Sequence, residues 1–135
     1  MTKKLHELLR QGEKRIFFIL DFSKELDKKI YNLLILILLL ACLLTSHFIS
    51  IFLFALSMYL MTGLYPLPYK GAGLPLSEFD DEKTIEEIIQ RSRYRYETRF
   101  ERNKELNSKK SKILKISLIL FQVIIGIYIV GFIIN

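Results

Sequence analysis

The chain has 135 residues, 51% of them hydrophobic and 25% charged, with a formal net charge of +6. One cysteine excludes a disulfide scaffold, and three prolines exclude a Pro-rich disordered chain. The apolar residues fall in two blocks, 30–64 and 113–134, with nearly all charge outside them; a soluble domain of this size spreads them at helix or strand period around one core. This distribution predicts an all-α membrane protein: a short N-terminal transmembrane hairpin, then a long cytoplasmic helix continuing into a C-terminal transmembrane helix.

Residues 1–29 read as an amphipathic cytoplasmic arm. Leu5, Leu8, Leu9, Ile16, Ile19 and Leu20 recur at helical spacing, with His6, Glu7, Arg10, Glu13 and Lys14 between them. The arm is expected either to lie on the inner leaflet or to pack on the protein's own cytoplasmic helix, and Gly12 is placed to bend or divide it. So charged a segment does not read as a signal peptide.

The block 33–64 holds 32 residues without a charge, roughly 48 Å as one helix against a hydrocarbon core of ~30 Å. Thr45, Ser46 and His47 form its one consecutive polar triplet. A break there predicts a hairpin with arms 30–44 and 48–64; a single long tilted helix is the competing arrangement. Charge favours the hairpin. Residues 1–29 carry eight Lys/Arg and residues 91–115 carry ten, and the positive-inside rule places both flanks in the cytoplasm. That requires an even number of crossings between them, hence an N-terminus inside and a C-terminus outside.

Residues 65–78 contain Pro66, Pro68, Pro75, Gly71 and Gly73, the composition of a loop. Tyr59, Tyr65 and Tyr69 fit a headgroup aromatic belt. A charged cytoplasmic helix is expected over 79–112, opened by Asp80, Asp81 and Glu82 and by a capping box at Thr84 and Glu87. Residues 78–90 carry net −5 and residues 91–115 net +7, a polarity that suits the helix macrodipole. Its apolar stripe is Ile85, Ile88, Ile89, Tyr96, Phe100 and Leu106. Ser92, Arg99, Asn103 and Lys110 interrupt the heptad, so a long coiled coil is not expected. The membrane helix 113–135 follows, with 19 uncharged residues from 116 to 134.

Chemistry is sparse. His6 and His47 are 41 residues apart, Cys42 falls within the apolar block, and no metal, nucleophile or phosphate-loop motif is present. The acids Glu78, Asp80, Asp81 and Glu82 are accounted for by helix capping. No catalytic residue, metal ligand or cofactor is expected, and the chain reads as non-enzymatic. The basic residues Arg91, Arg93, Arg95, Arg99 and Arg102 are interleaved with Tyr94, Tyr96 and Phe100, and Lys109, Lys110, Lys112 and Lys115 follow. Arginine with aromatics can bind single-stranded nucleic acid, but nucleic acid is not the expected partner. The lysines suit anionic lipid at about 1 kcal/mol each. The arginines, ~20–35 Å farther along the helix and beyond a Debye length of ~8 Å, suit an acidic partner surface. Within the membrane, Gln122 is expected to bond to another helix, with Ser117 and Gly126 allowing close approach. Ser50, Ser57 and Thr62 either face inward or bond back to preceding carbonyls.

The run Arg93-Tyr94-Arg95-Tyr96-Glu97-Thr98-Arg99-Phe100-Glu101-Arg102-Asn103-Lys104-Glu105-Leu106, leading through Ser108-Lys109-Lys110-Ser111 into a membrane helix, resembles the helix-into-membrane element of SLATT-type effectors of bacterial antiviral systems. The resemblance covers about forty residues. Those modules place a membrane hairpin after the helix, where this sequence has one span. It implies an oligomeric pore that disrupts the bacterial inner membrane. Taken without it, the residues point to a non-enzymatic subunit, or self-assembling scaffold, of a membrane complex that docks partners through its cytoplasmic helix.

Overall fold

The computed structural model describes residues 3–64 and 84–135, which form three α-helices and, among the described residues, no strand. The predicted loop 65–78 and the acids at 78–82 lie outside the described residues. Helix α1 spans Lys3–Leu43, α2 His47–Leu64 and α3 Ile85–Ile134. Gly12 does not divide α1, which is helical through that position. The charged stretch and the apolar stretch of α3 are one helix of 50 residues. Its start is marked by Thr84, whose carbonyl accepts from the Ile88 N–H at 3.1 Å and whose Oγ1 accepts from the Glu87 N–H at 3.5 Å. This is one arm of the expected capping box.

The contacts divide the chain into two units. In the first, the described parts are the α1 residues up to Ser23 and the α3 residues up to Asn107. The two helices run parallel: Gly12 stands against Tyr96, and the Asn107 side-chain amide donates to the Ile19 carbonyl at 3.0 Å. On α1, Gly12, Ile16, Ile19 and Ser23 follow each other at spacings of four, three and four, with the last three buried. That is the heptad spacing of a left-handed helix pair. The N-terminal arm therefore packs on the charged helix.

The second unit holds residues 24–64 and 108–135 among those described. Its core is Leu26, Ile30, Leu33, Leu34 and Ile37 of α1, Leu53, Leu56 and Leu60 of α2, and Leu114 of α3. The long apolar block is two helices, not one: α1 ends at Leu43 and α2 begins at His47, within a residue of the expected break. The arms are antiparallel. Ser50 Oγ donates to the Ala41 carbonyl at 3.0 Å, satisfying one of the free acceptors at the end of α1. At the other end, a Cβ on Gly63 would lie 3.2 Å from Ile30 Cδ1 and 3.3 Å from Ile113 Cγ2, so all three helices converge there. Ser57 and Thr62 bond back to the Phe54 and Tyr59 carbonyls at 2.7 and 2.6 Å, the local alternative for these hydroxyls.

Two helices are long and apolar enough to cross a membrane, His47–Leu64 and Glu86–Ile134, at mean hydropathy 1.7 and 2.6 over their most apolar windows. The charge-free end of α1, residues 30–43, is only 14 residues long. Large side chains lie exposed along all three helices of this unit, Leu39, Phe48, Ile51, Ile127 and Phe132 among them.

Candidate functional site

The basic-aromatic stretch of α3 lies in the first unit, and the helix period sorts its residues. Tyr96 is 6% exposed and faces Gly12 of α1, with Phe100 half-buried beside it. A Cβ at position 12 would fall 2.6 Å from the Tyr96 ring carbons, so a residue without one is required at this approach. Burial pushes the Tyr96 phenol above its ordinary value; the Glu13 carboxylate adds to this and the Arg99 guanidinium opposes it.

The opposite face is open. Arg91, Tyr94, Arg95 and Arg102 are exposed, with Tyr94 at 71%; Tyr94 and Arg95 lie three and four residues after Arg91, and Arg102 lies one heptad after Arg95. An exposed tyrosine set among arginines offers an apolar body, a phenol and charge-assisted donors together. Arg93 is exposed too, but turns toward α1 and lines a cavity of about 460 Å³ with Arg15, Gln11, Glu97, Phe100 and Glu101. Two arginines and two glutamates there leave no net charge to select an ion of either sign. Arg99 is half-buried.

The lysines separate in the second unit. Lys109, Lys112 and Lys115 are exposed, as lipid or partner contact requires. Lys110 is a correction: it is 4% exposed, and its Nζ lies 2.5 Å from Asp27 Oδ1 of α1. The heptad position that seemed to interrupt the apolar stripe turns this lysine inward onto a carboxylate. Of the predicted helix-contact residues, Ser117 is fully buried, its Oγ without a partner. Gln122 and Gly126 lie on the outer side of α3. Both are exposed, and a Cβ on Gly126 would meet nothing within 4 Å.

The sequence reading missed a polar seam. Ser92, Tyr96, Asn103 and Asn107 are buried on α3 in the first unit, and Lys110, Leu114 and Ser117 in the second. Their spacing alternates between threes and fours, or sums to a heptad. The signal was therefore present in positions treated as breaks because they are polar. Among the described residues no group of three His, Cys, Asp or Glu side chains comes close enough to hold a metal. His6, Cys42 and His47 are exposed; Cys42 and His47 line one shallow, largely apolar hollow at the hairpin turn, with no third metal-ligating side chain beside them among the described residues. Comparison with protein-family models, with curated proteins and with solved structures gives no match.

Proposed function

We propose that the chain is an integral membrane protein that works without catalysis as a subunit or scaffold of a membrane complex, docking an acidic partner on its cytoplasmic helix. The observation that carries this reading is the sorting of α3. Its buried side holds Tyr96 against α1, while Arg91, Tyr94, Arg95 and Arg102 stand together on the exposed side. Tyrosine and arginine are the residues that most often dominate binding energy at protein interfaces. The hairpin 30–64 crosses twice and α3 crosses once, which leaves the N-terminus and the arginine face in the cytoplasm and the C-terminus outside. The first arm is short, so the bilayer thins beside it or Lys28 and Lys29 snorkel to the interface. Arg91→Glu combined with Arg102→Glu tests the docking role. A partner that co-purifies with the wild type in mild detergent, and is released by salt, is expected to be lost from the variant. Retention of that partner contradicts the proposal.

A second reading is favoured by one observation, the outward polar Gln122 on an uncharged, mostly apolar stretch of α3. In lipid such an amide gains by bonding to a like amide on another copy, as an oligomeric pore-forming effector of the inner membrane requires. Expression of such an effector depolarises cells and Gln122→Leu abolishes the effect; unchanged membrane potential at high expression contradicts it.

A further inference from the structure

An apolar groove of about 510 Å³ runs between α2 and α3 within the second unit. Phe52, Ala55 and Tyr59 form one wall at spacings of three and four, and Leu120, Val123 and Ile127 form the other. Small Ala55 opens the middle. On α3 the wall stripe continues toward the N-terminus in steps of four to Ile116 and then Lys112, both exposed. Lys112 is thus ~12 Å from Leu120 along the helix axis. On α2 the wall ends at Tyr59, four residues before Gly63. Because Gly63 stands against Ile113, the Tyr59 end and the Lys112 end of the groove are the same end.

The groove is therefore an apolar trough with the Tyr59 phenol near one end, and Lys112 lies beyond that same end along α3. We propose that it binds one acyl chain of an anionic phospholipid, whose phosphate meets Lys112 and the Tyr59 hydroxyl. The inference rests on the membrane reading above, since only there is lipid the surrounding solvent. Charge decides between lipid and a second copy of the chain. A copy seated in the groove with the same orientation in the membrane brings its own Lys109, Lys112 and Lys115 to this end, and like charges repel. A phosphate attracts, and Tyr59 and Lys112 present donors suited to its oxygens.

The test uses the full chain in phosphatidylcholine nanodiscs, doped with phosphatidylglycerol or phosphatidylcholine carrying a photoreactive acyl chain, with adducts mapped by mass spectrometry. The phosphatidylglycerol probe is expected to label residues 48–59 and 120–127 above the rest of the apolar surface. Ala55→Trp, which fills the trough, brings that labelling to background. Lys112→Glu lowers the preference for phosphatidylglycerol about fivefold or more, while leaving phosphatidylcholine labelling unchanged. As a surface substitution, Lys112→Glu keeps the test decisive if Ala55→Trp does not fold. Equal labelling of groove and of Phe132 and Ile133 overturns the site in favour of ordinary boundary lipid. Covalent dimers with an unlabelled groove overturn it in favour of a second copy. Flotation with phosphatidylcholine vesicles separates the two claims: a chain that floats but labels evenly defeats the groove alone, and a chain that does not float defeats the membrane reading with it.

Discussion

A methyl group at position 12 is the smallest change that tests how α1 meets α3 in the first unit. Alanine is favoured over glycine in a helix by about 1 kcal/mol, but its Cβ would enter the Tyr96 ring at 2.6 Å, and overpacking costs about 1–3 kcal/mol. The second effect wins, so Gly12→Ala should lower the melting temperature in detergent. In a Tyr96→Ala background the clash is gone and the same substitution should raise it; the same sign in both backgrounds would refute the contact. Tyr96 also makes stability depend on pH. Its phenol is held above 10.0 in the fold, by burial first and Glu13 second. Above pH 10 the unfolded chain releases this proton before the folded one does, so the folded state binds more protons and stability falls as pH rises. Tyr96→Phe should flatten that fall above pH 10, read as melting temperature against pH. The ion pair of Lys110 with Asp27 gives an asymmetric prediction. Asp27→Ala takes this carboxylate from a buried ammonium and should cost on the order of 1–3 kcal/mol, less than for a fully buried pair, whereas Lys110→Met, which leaves a carboxylate 41% exposed to solvent, should cost less. Thermal or denaturant unfolding of the two variants decides it. Of these residues, Tyr96 was legible from the sequence as part of an apolar stripe. Gly12 was legible as an irregularity, but a gap made for a ring on another helix leaves no local trace. Asp27 and Lys110 were illegible because their pairing joins positions 83 residues apart.

At the scale of elements, the hairpin depends on the turn between Leu43 and His47. Ser50 is the α2 side chain that reaches across it to the Ala41 carbonyl. Ser50→Ala removes that donor, so it should cost about 1 kcal/mol without changing helix content. A loss of helicity by circular dichroism would show the turn to be more fragile than this. The break itself was readable, because Thr45, Ser46 and His47 are the one polar triplet in a long apolar run and shorter helices match the bilayer. The helix from Ile85 was readable from Thr84 and from the absence of glycine and proline after it. The continuity of α1 from Lys3 to Leu43 was not. The change from charged to apolar composition at residue 30 looks like a domain boundary, whereas backbone hydrogen bonding is indifferent to it. The seam on α3 was misread for a related reason. Ser92, Asn103 and Lys110 break an apolar pattern, yet Asn107 of the same helix shows how such side chains are accommodated, bonding to the Ile19 carbonyl instead of reaching water.

For the whole molecule, the account turns on sidedness. The arginine face reaches a cytoplasmic partner, and Lys112 reaches the inner-leaflet phosphate, only if residues 30–64 cross the membrane twice. The most direct measurement is labelling by a membrane-impermeant thiol reagent in intact cells, on a Cys42→Ser background with single cysteines at positions 10, 47 and 102. The account predicts that His47→Cys is labelled from outside, while Arg10→Cys and Arg102→Cys are labelled only after the membrane is opened. Labelling of Arg102→Cys from outside, with Arg10→Cys protected, would mean an odd number of crossings and would contradict it.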